Sequence, residues 1–296
     1  SWSWAQSTGT DFDEYGRCVA GAGDVNGDGY SDFLIGAPGM GAIPDEGYVY
    51  VHFGSPVGPD GSWFVHGSQI NARYGSKVAA AGDVNADGFA DIMIGAPDFD
   101  GPGGVDSGLA EVYLGGPGTV LSLNWQRTGR QLADRYGFAL GAGDMNNDGY
   151  SDIMIGAPWM DEPTPDGGVV FLYLGSIGGA VIDPSYMRAD SDDWSNFGYS
   201  IDIAGDVTGD GYADAAIGQP FAGVPTGRVV SIYGGRDHSP ASDGGTLRRP
   251  RQFRLDGTTP VALLGASDGS DGFTLRSIGR SPLGRGRVRL KYQGSP

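Results

Sequence analysis

The sequence predicts an all-β chain assembled from repeated four-stranded units, and three observations carry that reading. Fifty-five of the 296 residues are glycine, a density that weakens helix interiors and suits tight turns. Hydrophobic residues still make up 39% and aromatics 11%, enough to bury a sizeable core and to disfavour disorder. A ten-residue segment recurs four times at a nearly constant interval, the signature of a repeat architecture. The glycines follow no three-residue period, which excludes collagen. No apolar run approaches the roughly 20 residues of a membrane-spanning helix, so no membrane insertion is expected. The opening Ser1-Trp2-Ser3-Trp4 carries neither an initiator Met nor a leader, so a trimmed chain is expected.

The recurring segment is Gly23-Asp24-Val25-Asn26-Gly27-Asp28-Gly29-Tyr30-Ser31-Asp32, repeated at 82–91, 143–152 and 205–214. Its first aspartates, Asp24, Asp83, Asp144 and Asp206, are 59, 61 and 62 residues apart. An aromatic-Gly pair precedes each copy: Tyr15-Gly16, Tyr74-Gly75, Tyr136-Gly137 and Phe197-Gly198. Gly36-Ala37-Pro38, Gly95-Ala96-Pro97, Gly156-Ala157-Pro158 and Gly218-Gln219-Pro220 follow, twelve residues after each first aspartate. Within the first period the strand candidates are 18–22, 32–36, 47–53 and 62–66, short apolar or aromatic runs bounded by Gly, Pro and Asp. Tyr48 to Phe53 has the β-branched and aromatic content of a strand. Four short strands per period of about 60 residues, repeated, describe the blades of a β-propeller.

The aromatic-Gly pairs, aspartate loops and Gly-Ala-Pro triplets over residues 1–235 resemble the FG-GAP repeat family, the propeller blades of integrin α subunits and many bacterial surface proteins. Ile278-Gly279 repeats the Ile-Gly dipeptide found at Ile35, Ile94, Ile155 and Ile217. It places a worn fifth loop at Ser267, Gly269, Asp271 and Leu275, without the ligand set. The expected architecture is therefore five four-stranded blades, four with calcium loops in 1–235 and a degenerate one in 236–296. Residues 1–7 would supply the missing outer strand and close the ring, removing two exposed edges. The alternative for 236–296 is the start of a following β-sandwich, and integrin-type propellers have seven blades.

Each aspartate loop offers oxygens at alternate positions, so that they converge on the concave side of a tight turn. Ca²⁺ takes six to eight oxygens at about 2.3–2.6 Å, with a glycine allowing the turn. The first set is Asp24, Asn26, Asp28, the Tyr30 carbonyl and Asp32. The second is Asp83, Asn85, Asp87, the Phe89 carbonyl and Asp91, and the third is Asp144, Asn146, Asp148, the Tyr150 carbonyl and Asp152. The fourth is Asp206, Thr208, Asp210, the Tyr212 carbonyl and Asp214, expected to be weakest because a hydroxyl replaces an amide oxygen. An EF-hand would place Glu at position 12 between helices, whereas here position 12 is Ile and strands flank the loop. The ninth residue is expected to close the shell with both carboxylate oxygens. Asx-rich turns alone explain one such loop, but not four with three carboxylates at the same offsets. Mg²⁺ suits the loops less, because it demands strict octahedral geometry. Four Ca²⁺ ions would move the formal charge from −17 to about −9.

The charge is lopsided. Asp numbers 32 against 4 Glu; residues 1–235 carry a net −23 and residues 236–296 a net +6. Nucleic acid is not an expected partner for so acidic a body, and Arg285, Arg287 and Arg289 alternate with Val288 and Leu290 as in a strand with one wet face. The lone Cys18 excludes an intramolecular disulfide or a thiolate metal site. His52, His66 and His238 form no catalytic pattern, no Gly-x-Ser-x-Gly elbow or phosphate loop is present, and an enzyme is not expected.

The resemblance to integrin α subunits implies calcium loops on one face and partner binding on the other. The opposite loops are 9–14, 39–46, 98–107, 129–135, 159–167, 190–196 and 219–226. They carry Phe12 and the ligand-face candidates Phe99, Trp159, Trp194 and Phe221, aromatics of the kind that anchor interfaces. Trp159 and Trp194 could equally wedge between blades. The expectation is an extracellular or cell-surface recognition module, binding a protein or glycan and monomeric if the ring closes. A non-binding structural unit of a longer surface protein, or the propeller domain of a secreted hydrolase or lyase, are the alternatives.

Overall fold

The structure, a computed structural model, describes residues 4–8, 12–189, 193–222 and 227–235. The described residues carry fifteen β-strands and no helix. The first unit contains β1 (Cys18–Gly23), β2 (Asp32–Ala37), β3 (Tyr48–His52) and β4 (Ser62–His66). The second contains β5 (Lys77–Gly82), β6 (Asp91–Ala96), β7 (Leu109–Leu114) and β8 (Ser122–Thr128). The third contains β9 (Ala139–Gly143), β10 (Asp152–Ala157), β11 (Val169–Tyr173) and β12 (Tyr186–Ala189), and the fourth β13 (Ser200–Gly205), β14 (Asp214–Gln219) and β15 (Arg228–Ile232). Each unit is one antiparallel sheet with its strands in sequence order, as expected of hairpin-connected blades. The first strands neighbour one another across units, β1 beside β5, β5 beside β9 and β9 beside β13.

Burial explains why one repeat does not stand alone. β6 and β10 share the sequence Asp-Ile-Met-Ile-Gly-Ala and are buried along their whole length, because both faces of the sheet are covered by neighbouring units. β4 at the outer edge alternates exposed and half-buried residues. The apolar clusters form between successive units. Val49, Val51, Ile92 and Ile94 join the first and second, Met93, Val112, Ile153 and Phe171 the second and third, and Met154, Val170, Ile217 and Ile232 the third and fourth. Each buried aliphatic or aromatic side chain contributes about 1.5–3 kcal/mol, and that gain requires the adjoining repeat.

Glycine sets how closely the units approach. A Cβ on Gly95 would lie 2.2 Å from the Gly137 carbonyl oxygen of the next unit, and one on Gly156 would lie 2.2 Å from that of Gly198. The Gly75 carbonyl crowds Gly36 in the same way. Within a unit, the aromatic-Gly amide donates to the other glycine: Gly75 to Gly95 at 3.1 Å and Gly137 to Gly156 at 3.1 Å. The glycine of each Gly-Ala-Pro triplet thus accepts from the aromatic-Gly pair of its own unit and abuts that of the next.

Of residues 1–7, expected to supply a closing strand, the described residues 4–7 form no strand. Trp4 instead packs edge-on against Phe33 and His52 of the first unit, at ring distances of 5.5 and 4.9 Å. The expected degenerate blade, or sandwich, in 236–296 lies outside the described residues.

Candidate metal centres

Each aspartate loop joins the first strand of a unit to the second, entered through a glycine that pairs with the ninth loop residue: Gly23 with Asp32, Gly82 with Asp91, Gly143 with Asp152 and Gly205 with Asp214. A register shift precedes the first, second and fourth of these pairs, the local twist of a β-bulge; the third turns without one.

Inside the first loop, the Asp24 carboxylate accepts the amides of Gly27, Asp28 and Gly29 at 2.7–3.1 Å. Asn26 Oδ1 accepts the Asp28 amide at 3.0 Å and its Nδ2 donates to Asp28 Oδ2 at 3.0 Å. Asp28 Oδ1 accepts the Tyr30 amide at 2.9 Å. The second and third loops repeat this pattern through Asp83, Asn85 and Asp87 and through Asp144, Asn146 and Asp148. In 206–211, taken by itself, Asp206 accepts the amides of Asp210 and Gly211 at 2.9 and 2.8 Å.

The ninth residue has a role that the sequence reading missed. Asp91 Oδ2 accepts the Val84 amide at 2.8 Å and Oδ1 the Gly115 amide at 2.9 Å, tying the loop to the end of the third strand. Asp32 brackets Val25 and Gly54, and Asp152 brackets Met145 and Gly175. Asp214 accepts the Gly234 amide at 3.1 Å. Any ion that Asp32, Asp91 or Asp152 holds would share oxygens already bonded to the backbone. Burial pushes the Asp91 and Asp152 carboxyls up to about 7, with the bracketing amides opposing it and the nearby loop aspartates adding to it. Burial likewise raises Asp32 and Asp83.

The loops are also bonded in series. The Asp24 carbonyl accepts the Ala90 amide at 2.9 Å, the Asp83 carbonyl that of Ser151 at 2.8 Å, and the Asp144 carbonyl that of Ala213 at 3.2 Å. The carbonyls of Val25, Val84 and Met145 accept the amides of Gly116, Ser176 and Gly235. Among the described residues no three Asp, Glu, His or Cys side chains gather closely enough to hold a metal ion as they stand, because the loop oxygens are turned onto the loops' own amides. The donor chemistry fits a hard cation: carboxylates, amide oxygens and main-chain carbonyls without a thiol or imidazole.

The ligand-face candidates separate. Phe99 is half-buried against the apolar cluster between the first two units. Trp159 is half-buried, its ring 4.8 Å from Phe138 and 5.9 Å from Tyr199, with the Arg135 guanidinium 5.0 Å above it. Phe221, 52% exposed, meets Tyr199 edge-on at 6.5 Å, and Trp194 is 59% exposed. His52 is buried and stacked on Phe33, and exposed His66 bonds Glu46 at 2.7 Å.

The FG-GAP repeat matches residues 19–52, 74–114, 136–173 and 197–232, about half of the chain. The chain belongs to the FG-GAP repeat family. Each FG-GAP match covers the first three strands of one unit and spans its aspartate loop. Phosphatidylinositol-glycan-specific phospholipase D of Homo sapiens is 35% identical over 197 residues, 62% of this chain and 23% of that protein. Integrin alpha-5 of Xenopus laevis is 28% identical over 271 residues, 82% and 24% of the two chains. Integrin alpha-IIb of Mus musculus is 33% identical over 224 residues, 70% and 20%. This FG-GAP chain thus spans less than a quarter of each of these relatives.

Proposed function

We propose that this chain is a calcium-stabilised, integrin-α-like β-propeller acting as an extracellular recognition and adhesion module. The observation that carries the reading is the recurrence of one acidic loop geometry in successive units, with the loop backbones bonded in series. Asp24, Asn26, Asp28, Tyr30 and Asp32 would hold the first ion. Asp83, Asn85, Asp87, Phe89 and Asp91 would hold the second, and Asp144, Asn146, Asp148, Tyr150 and Asp152 the third. Asp206, Thr208, Asp210, Tyr212 and Asp214 would hold a weaker fourth. When bound, calcium supplies positive charge to aspartates that burial and mutual repulsion otherwise penalise. An ion that binds only the folded loop stabilises the fold by mass action, and millimolar calcium outside cells would fill loops of modest affinity.

The partner, a protein or glycan, would dock on the loops at the other end of the first strands, where Trp194 and Phe221 are exposed. The chain would act as a monomer. Array binding to immobilised proteins and glycans, with calcium and with chelator, tests this role: calcium-dependent capture of a defined ligand is expected, and uniform absence of capture contradicts it.

A second reading, the propeller domain of a secreted hydrolase, is favoured by the 35% identity to a phospholipase D. In it, the chemistry belongs to another part of a longer chain. Release of a phosphatidylinositol-glycan-anchored protein by the full-length protein, but not by a form lacking these repeats, would favour it over adhesion.

A further inference from the structure

Residues 1–235 contain only eight Lys and Arg side chains, against 31 acidic ones. Four of those eight, Arg17, Arg73, Lys77 and Arg135, line a single pocket of about 520 Å³. Its lining comes from all four units. Arg17 immediately precedes β1, Lys77 opens β5, Phe138 immediately precedes β9 and Ser200 opens β13. The pocket therefore lies where the N-terminal ends of the first strands meet, the end opposite the aspartate loops. Chance does not explain half the cations of so acidic a segment converging on one cavity.

Two of the four cations are balanced from within. Arg73 pairs with Glu14 at 2.6 Å and lies 3.9 Å from Asp98 and 4.0 Å from Asp45. Arg135 lies 3.5 Å from Asp98 and over the Trp159 ring. Arg17 and Lys77 make no ion pair among the described residues. Arg73 and Arg135 are set by the backbone: both precede an aromatic-Gly pair in the left-handed conformation, at φ of 52°, and their amides donate to the Asp45 and Asp106 carbonyls at 2.8 and 3.1 Å. The cavity thus has two guanidiniums already held by carboxylates, two cations without an ion pair among the described residues, and an aromatic wall from Phe138 and Tyr199.

We propose that this pocket binds a carboxylate presented by a partner polypeptide, flanked there by an apolar residue. Guanidinium forks suit carboxylates, and a pocket of this size accommodates one side chain with its neighbours. Charge argues against an extended polyanion, because Asp45, Asp98, Asp100, Asp106 and Asp161 lie on the loops at this end, and like charges there suppress such a partner. One acidic group entering between the cations avoids that repulsion. This names the partner chemistry for the recognition reading and rests on that reading only in assuming a polypeptide ligand.

The test uses the full chain in saturating calcium, with isothermal calorimetry of four probes. These are the capped peptide acetyl-Gly-Asp-Phe-Gly-amide, its Asp→Asn counterpart, a Gly-Phe peptide with a free C-terminal carboxylate, and a heparin tetrasaccharide. The proteins are wild type, the double variant Arg17→Gln/Lys77→Gln, whose side chains have no ion pair to lose among the described residues, and Arg188→Gln as a remote control. Saturable binding of a carboxylate peptide is expected, at least about tenfold weaker for the Asn peptide and for the double variant, unchanged in Arg188→Gln and weakened by salt. The capped and free-terminus peptides distinguish a side-chain from a main-chain carboxylate. Equal binding of the Asp and Asn peptides, wild-type affinity in the double variant, or no saturable peptide binding at millimolar concentration overturns the proposal. So does heparin binding that the double variant alone abolishes, which would make the pocket a sulfated-glycan site. Because calcium stays saturating throughout, these failures are separate from a failure of the loops to bind calcium.

Discussion

The main-chain carbonyl of Asp83 accepts the amide of Ser151 at 2.8 Å, so the first residue of one aspartate loop is bonded to the eighth residue of the next. The same link runs from Asp24 to Ala90 and from Asp144 to Ala213. Each loop backbone is therefore held in part by a bond to the loop of the adjoining unit. This ties the stability of the repeat array to its acidic turns as well as to the apolar clusters between sheets.

Roles within a loop are separable by mutation. Asp152→Asn places an amide donor against one of the buried amides of Met145 and Gly175, and an unsatisfied buried donor costs about 1–3 kcal/mol. Urea denaturation in chelator should show this loss. Asp148→Asn keeps an acceptor for the Tyr150 amide and gives up only the exposed bond from Asn146 Nδ2, so its stability in chelator should stay within about 0.5 kcal/mol of wild type while its gain on adding calcium shrinks. Equal losses for both variants in chelator would contradict the division.

Close approach of the glycines predicts a steep response to one methyl group. Gly95→Ala would place a Cβ 2.2 Å from the Gly137 carbonyl, and forced separation of packed sheets costs about 1–3 kcal/mol or more. Gly116→Ala meets nothing within 4 Å and should leave the denaturation midpoint nearly unchanged. Similar midpoints for the two variants would remove the glycine contact from the account.

Glu111 gives a pH dependence with a definite sign. It is buried and accepts hydrogen bonds from the Tyr74 and Tyr113 hydroxyls at 2.6 and 3.2 Å. Burial nevertheless raises its carboxyl above the ordinary 4.5, with the two hydroxyls opposing the shift. The folded state thus keeps this proton to higher pH than the unfolded chain does. Its contribution is fully present below about 4.5 and is lost as pH rises through the raised folded value. Glu111→Gln should remove that part of the decline, read as the wild-type minus variant difference in unfolding free energy across pH 4–8. A difference that instead favours wild type increasingly as pH rises would contradict the assignment.

The aromatic candidates should divide by exposure. Trp159→Ala removes a ring held by Phe138, Tyr199 and Arg135 and should cost about 2 kcal/mol, less than a fully buried ring. Trp194→Ala, at a side chain 59% exposed, should leave thermal stability within about 0.5 kcal/mol while weakening capture of a ligand on that face. Stability effects of equal size would place both rings between units.

Much of this was legible in the sequence because the repeat supplies its own alignment. The strand candidates 18–22, 32–36 and 62–66 fall within one residue of β1, β2 and β4, since Asp, Gly and Pro mark each boundary. The aspartate loops were equally legible from their spacing. The bracketing by Asp32, Asp91 and Asp152 was not, because its second partner is an amide 22–24 residues away whose side chain carries no signal. Nor was the basic pocket. Its cations are contributed by different repeats, and the column before the aromatic-Gly pair reads Glu14, Arg73, Arg135 and Asn196, so no single repeat shows the charge that the four assemble. The closing strand expected from residues 1–7 was misread for the same reason: Trp4 packs on Phe33, 29 residues away, a contact that the local sequence does not signal.

Calcium titration into chelator-stripped protein, with heat of binding and thermal unfolding followed together, decides whether the acidic loops hold ions that stabilise the fold. Up to four bound ions are expected, the fourth weakest, with a melting temperature that climbs with calcium concentration; each site at a hundred times its Kd adds about 2.7 kcal/mol. No binding heat, together with the same melting temperature in calcium and in chelator, would contradict it.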